Sequence, residues 1–231
     1  MIIFVIATPM RAAFADVMLD DLQKGFETIG SPSRVIRMSD AGEIDGVWQT
    51  IREQSKGYDT VVGIDLNGNF NSPPVIDPER WRRFTILIDH PYFHAYKFSG
   101  YEFGLACSVV DQTHESALSD AGLEISAEFL PHAGPPPEPD VLSIAERQRD
   151  ILFCGNIAEI VLPNKLAEKV GTFPMPVQQI TLKTIERAIT GEFTIHSALK
   201  RATSDILSEP LSAIPLETLS AVCKTVETYV A

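Results

Sequence analysis

Apolar runs of strand length alternate with amphipathic helical stretches along the first part of the chain. The predicted strands cover residues 2–8, 33–38, 58–68, 84–88, 101–111 and 126–134. Between the first two, apolar residues recur at helical spacing from Phe14 to Ile29, and a second such stretch carries Val47 and Ile51. Strands that are apolar throughout and separated by helices are typical of a parallel sheet covered on both faces. We therefore predict an α/β fold, with a Rossmann-like doubly wound parallel sheet, over residues 1–134.

The pattern changes after residue 134. Four prolines fall within six residues, and residues 135–150 are therefore predicted to be a proline-rich connector. One strand-like run, residues 150–159, follows it. Helical spacing then recurs over residues 178–189, 195–207 and 216–230. Residues 151–231 are predicted to be one strand plus a helical C-terminal extension. That strand either joins the first sheet or, as we prefer, opens a second, incomplete domain.

Composition and charge narrow the possible partners. The formal net charge of −12 argues against nucleic acid and anionic membranes as partners. A short basic stretch, residues 79–84, is interpreted as a solvated helix end. No apolar segment approaches the roughly 18 residues of a membrane span, and the apolar start lacks the features of a signal peptide. Three scattered cysteines without a CxxC pair fit a reducing compartment, so we expect a cytoplasmic protein.

Polar residues accumulate where the predicted strands end. Doubly wound sheets bind ligands beyond the carboxyl ends of their strands, so these residues are the candidate site. They are Arg11, Asn67, Asp89, His90, His94, Asp111, His114 and His132. Asp89 or His90 could accept a proton from a bound hydroxyl group. Alternatively, Asp89 caps the following turn and His90 packs beside Tyr92 and Phe93. The residues alone leave both interpretations open.

Other chemistries have weaker signals. His90 and His94 stand four apart, but Pro91 disfavours helical geometry and no third ligand has a fixed spacing, so a metal-dependent hydrolase is a minor alternative. The first strand-to-helix turn, "ATPMRAAF", has no glycine, and the sequence has neither a P-loop nor a GxSxG motif. No cofactor is expected. His196 is interpreted as a surface or boundary residue of a tail helix.

Four segments in order, "ILIDHPYFH", "VVDQTH", "FLPHAG" and "RQRDILFCGN", resemble the N-terminal half of bacterial GT-B glycosyltransferases, closest to the spore-maturation-protein-like group. There a strand ends in a D-x-P or D-H-P segment, a later strand ends in D-x-x-H, and an LPHA motif precedes the interdomain connector. The resemblance implies metal-independent transfer of a sugar from a nucleotide-sugar donor to an acceptor, in a cleft between two Rossmann domains.

The same resemblance assigns roles to the candidate residues. Asp89 or His90 would be the catalytic base, and the other candidates would bind substrate: Arg11, Asn67, His94, Asp111, His114 and His132. This chain would supply the acceptor-side domain, so we expect it to be inactive alone. Independently of the resemblance, an apolar patch exposed on the helical tail would favour homo-oligomerisation. The rival hypothesis is a non-catalytic Rossmann-like module that binds a ligand or partner at the same strand ends.

Overall fold

The structure, a computed structural model, describes residues 1–9, 13–70, 74–98, 105–131, 163–191 and 194–230. Its centre is a six-stranded parallel sheet with the order β2-β1-β3-β4-β5-β6. The strands are β1 (Ile2–Ala7), β2 (Ser33–Arg37), β3 (Val61–Leu66), β4 (Trp81–Leu87), β5 (Leu105–Val109) and β6 (Ser126–Phe129). The predicted fold class, a Rossmann-like α/β sheet followed by helices, is confirmed.

Seven α-helices occur in the described part of the chain. They are α1 (Ala13–Thr28), α2 (Ile44–Gln54), α3 (Glu115–Asp120), α4 (Pro163–Gly171), α5 (Met175–Ile189), α6 (Ile195–Leu207) and α7 (Leu216–Val230). Two 3₁₀ helices, Pro91–Phe93 and Ala95–Phe98, follow β4. The helices α5, α6 and α7 coincide with the predicted tail helices, whereas α4 was not predicted. None of the described helices is long and apolar enough to cross a membrane.

Helices cover both faces of the first half of the sheet. On one face, Leu19 of α1 packs in a cluster with Ile3 and Val5 of β1. On the other, Trp48 of α2 packs in a cluster with Phe4 of β1. Alternate residues of β1 therefore point to opposite helices, which explains why the whole strand is apolar.

The basic stretch at residues 79–84 is the start of β4, so its interpretation as a solvated helix end is wrong. Trp81 and Arg83 are buried. An Arg83 Nη2 atom lies 3.0 Å from Asp65 Oδ2, and the same Asp65 oxygen accepts a hydrogen bond from Phe70 N at 2.6 Å. Gly63 of β3, which pairs with Arg83, has no room for a side chain, because a Cβ there would overlap the indole ring of the diagonal neighbour Trp81. The ion pair with Asp65 thus allows the Arg83 charge to be buried inside the sheet, whereas the sequence analysis expected it to be exposed to solvent.

The helical tail packs against the carboxyl edge, the edge at which the parallel strands end. One apolar cluster combines Tyr92 and Phe93 of the first 3₁₀ helix with Leu199 of α6 and Leu219 of α7. Ser220 Oγ also donates a hydrogen bond to the carbonyl oxygen of Phe93 at 3.0 Å. The predicted connector at 135–150 and the predicted strand at 150–159 lie outside the described residues.

Candidate functional site

The turn after β3 fixes the geometry of the carboxyl edge. Asn67 and Gly68 have left-handed backbones, with φ of 53° and 64°, which asparagine and glycine tolerate best. The Asn67 side chain accepts a hydrogen bond from Ile88 N at 2.9 Å and donates one to Asp89 Oδ2 at 2.8 Å. One amide thus ties the end of β3 to the residues just after β4 and sets the position of the Asp89 carboxylate.

His94 and Lys97 complete a chain of hydrogen bonds to Asp89. His94 Nε2 lies 3.0 Å from Asp89 Oδ2, and Lys97 Nζ lies 3.0 Å from His94 Nδ1. Lys97 also donates to the Asn67 carbonyl oxygen at 3.0 Å and to Asn69 Oδ1 at 2.6 Å. An ammonium group can only donate, so His94 Nδ1 accepts and Nε2–H donates to Asp89. We call Asn67, Asp89, His94 and Lys97 the Asp89 network.

The electrostatics of the Asp89 network favour a carboxylate beside a neutral imidazole. The hydrogen bond from His94 holds the pKa of Asp89 below its usual value, and burial lowers the pKa of His94. The Asp89 side chain is nevertheless 48% exposed. Both of its hydrogen bonds end on Oδ2, and Oδ1 accepts none from the described residues. Asp89 can therefore take a hydrogen bond or a proton from a bound molecule.

His90 lies in a different environment from His94. Its Nδ1 accepts a hydrogen bond from Tyr92 N at 3.3 Å and lies 3.7 Å from Cys223 Sγ of α7. Its ring centroid is 4.4 Å from that of His114. Burial first, then the nearby His114 and His196, lower the pKa of His90 to about 3. His90, rather than Asp89, caps the following turn, and it packs beside Tyr92 as the second interpretation suggested. A catalytic role for His90 stays a prediction.

The other candidate residues are placed differently. Asp111 caps the short turn after β5, accepting hydrogen bonds from the backbone and hydroxyl of Thr113 at 2.8 Å each. His114 is half-buried against His90, and burial lowers its pKa. Their substrate-binding roles stay predictions. Arg11 and His132 lie outside the described residues. The structure thus brings together Asn67, Asp89 and His94, while His114 joins His90 instead.

Two residues of this edge were missed by the sequence interpretation. Lys97 had no assigned role, although it stands three residues after His94, one turn along in a 3₁₀ helix. His196 is buried rather than at the surface: its ring nitrogens lie 2.6 Å from the Tyr92 hydroxyl and 3.0 Å from Asp120 Oδ2. Its spacing of three from Leu199 and seven from Thr203 could have indicated the buried face of α6.

A groove of about 660 Å³ lies beside the Asp89 network, between α4 and α7. Tyr96, the neighbour of Lys97, lines it.

Among the described residues, no group of three or more His, Cys, Asp and Glu side chains is arranged to hold a metal ion. At the described carboxyl edge, Asp89 can take part in hydrogen bonding and proton transfer.

Comparisons with protein-family models, with curated proteins and with solved structures returned no match.

Proposed function

We propose that this chain is the acceptor-side part of a glycosyltransferase that uses a nucleotide-sugar donor, and that Asp89 is its catalytic base. The observation that carries the proposal is a half-exposed carboxylate at the carboxyl edge, held by Asn67 and His94. The resemblance of "ILIDHPYFH" and the later strand ends to GT-B enzymes supplies the reaction class. The position at the strand ends agrees with where doubly wound sheets bind ligands.

In the proposed reaction an acceptor hydroxyl donates a hydrogen bond to Asp89 Oδ1. As the acceptor oxygen bonds to the anomeric carbon of the donor, the bond from that carbon to the nucleotide phosphate breaks, and the hydroxyl proton passes to Asp89. The lowered pKa of Asp89 keeps the carboxylate ionised at neutral pH. Its position is held by His94, whose tautomer is in turn fixed by Lys97, so His94 and Lys97 are positioning residues.

Cytoplasmic location and self-association belong to the same proposal. Cys107 and Cys223 are buried free thiols, which suits a reducing compartment. Self-association through the helical tail is supported by three exposed apolar side chains spaced seven residues apart on α5. They are Met175, Leu182 and Ile189. Light scattering of the purified chain over a range of concentrations measures whether it self-associates.

Replacing Asp89 by Asn tests the proposed base. The gene product that contains these residues is assayed for release of nucleoside diphosphate from a panel of nucleotide sugars, with mono- and oligosaccharides as acceptors. We expect Asp89→Asn to lower kcat/KM by about 10²- to 10⁴-fold, because an amide cannot take the proton. The matched control is Asp21→Asn on α1, whose side chain is similarly exposed at 40%, and which should stay within about twofold of the parent.

Three results would count against the proposal. Equal turnover by Asp89→Asn and the parent rejects Asp89 as the base. Saccharide binding to this chain in ligand-observed NMR, without turnover of any donor, favours the non-catalytic binding module. Neither binding nor turnover across both panels rejects the glycosyltransferase itself.

A further inference from the structure

The groove between α4 and α7 has the dimensions of a small-molecule site. Its volume, about 660 Å³, falls within the roughly 300–1,000 Å³ of pockets that bind organic ligands. One wall is α4 with the residues just after it, and the other is α7. Tyr96, from the 3₁₀ helix Ala95–Phe98, is a further lining residue. Leu166 and Phe173 contribute apolar surface on the α4 side. This combination suits the body of an apolar or aromatic ligand.

The charges around the groove are opposite in sign to those of the whole chain. Among the residues that the structure describes, three lysines, Lys165, Lys169 and Lys224, and one carboxylate, Glu217, line the groove. Lys165 and Lys169 are four apart on α4, so their side chains extend from the same helix face. Lys224 Nζ lies 5.9 Å from the centroid of the Tyr96 ring. In a chain with a net charge of −12, this local excess of lysine favours an anionic ligand.

Tyr229 of α7 also lines the groove. The Tyr229 hydroxyl is buried and has no partner among the described residues. The Thr225 and Thr228 hydroxyls bond to carbonyl oxygens of their own helix, those of Ala221 and Lys224, and the Ser220 hydroxyl bonds to the Phe93 carbonyl oxygen. Because buried polar atoms are nearly always hydrogen-bonded in native proteins, the Tyr229 hydroxyl, which is covered in this structure, would turn towards a polar group of a bound ligand.

We propose that the α4–α7 groove binds a small organic anion, with an apolar or aromatic body between the two helices and a carboxylate or phosphate group at the lysines. Lys169 and Lys224 supply charge-assisted hydrogen bonds to the anionic group, and Tyr229 adds a neutral one. This site goes beyond the proposed glycosyl transfer, since none of its lining residues belongs to the Asp89 network.

The test uses two pairs of probes that differ in charge alone or nearly so. Decanoate is compared with 1-decanol, and 1-naphthyl phosphate with 1-naphthol, by calorimetric titration of the whole chain. We expect at least one anion to bind about tenfold or more tightly than its neutral counterpart, the factor given by one charge-assisted hydrogen bond. Tighter binding of decanoate indicates an alkyl carboxylate ligand, and tighter binding of naphthyl phosphate indicates an aromatic phosphate.

Variants locate the site. The double variant Lys169→Glu/Lys224→Glu should weaken anion binding by about 10-fold or more. The control, Lys24→Glu/Lys56→Glu, makes the same charge change at exposed positions outside the groove. It should change the affinity by less than about twofold. Ala221→Phe fills the groove without altering charge and should abolish binding of both anions. The proposal is overturned by no binding of either anion, by equal affinity for neutral probes, or by unchanged affinity in the groove variants.

Discussion

At the scale of single residues, His90 and His94 are close in sequence but lie in different surroundings. Both imidazoles follow β4, four residues apart, and the sequence analysis proposed His90 as a catalytic base and His94 as a substrate-binding residue. The structure gives His94 a partner on each ring nitrogen, Asp89 and Lys97. His90 is covered by α7 and His114, and its Nε2 has no partner among the described residues. The difference comes from packing of the tail, which lies more than 100 residues away in sequence.

The pKa of His90 makes a prediction about stability and pH. Its value of about 3 lies below the ordinary 6.5, so the unfolded chain takes up this proton first as pH falls. The contribution of His90 to the free energy of unfolding is therefore complete above about pH 6.5 and falls towards pH 3, by up to about 1.4 kcal/mol per pH unit. Urea denaturation of the parent and of His90→Asn, at several pH values, measures it. Asparagine retains an acceptor for Tyr92 N but does not titrate.

The expected result is a shallower loss of stability with falling pH in His90→Asn than in the parent. The comparison is needed because burial also lowers the pKa values of His94, His114 and His196, which act in the same direction. Asp111 faces His90 with the opposite sign and opposes the shift, while Cys223 lies beside its Nδ1. Identical pH profiles for the two proteins would contradict the burial of a neutral His90.

At the scale of elements, the strength of the periodic signal decided what could be predicted. β1 is apolar throughout, and α5, α6 and α7 carry repeated apolar positions, so their existence followed from the sequence. α4 has few apolar residues, with Leu166 and Val170 packing inward, and gave no such signal. The start of β4 was not predicted, because its arginines suggested an exposed segment. Arg83 is buried because it pairs with Asp65, which lies on another strand.

The ion pair between β3 and β4 should be costly to break. Asp65→Asn would remove the carboxylate that pairs with the buried Arg83 Nη2, and we expect a loss of about 3–5 kcal/mol in the free energy of unfolding. Chemical denaturation measures this loss. The control is Asp59→Asn, an exposed residue just before β3, for which we expect less than about 0.5 kcal/mol. Similar small losses in both variants would show that the pair does not stabilise the sheet.

At the scale of the whole molecule, the helical tail shares one apolar cluster with the 3₁₀ helix that follows β4 and with α3. Tyr92 and Phe93 from the carboxyl edge pack among residues of α5, α6 and α7, and Tyr92 bonds to His196 of α6. The sequence predicted these helices but not where they dock, because contacts across more than 100 residues leave no local pattern. The strand ends indicated Asn67, Asp89 and His94 as candidate site residues. They did not indicate that the distant α7 covers His90, for the same reason.

Shared packing predicts that the tail and the sheet unfold together. Leu199→Ala in α6 removes a fully buried side chain and should cost about 2–5 kcal/mol. Both tryptophans, Trp48 and Trp81, lie in the sheet cluster on the α2 face, so their fluorescence reports on the sheet alone. We expect the fluorescence midpoint in urea to fall together with the helical circular dichroism signal. A fluorescence midpoint that does not move, with a separate helical transition, would show that the tail folds independently.

Gly63 of β3 pairs with Arg83 of β4, and the indole ring of Trp81, two residues away on β4, lies diagonally over Gly63, where the smallest residue makes room for the largest. The two positions therefore share one fixed volume. A larger residue at 63 is compatible with this sheet only if residue 81 becomes smaller. In evolutionary terms the pair should covary: sequences that keep this fold should change both positions or neither, although each residue by itself suggests only an ordinary strand.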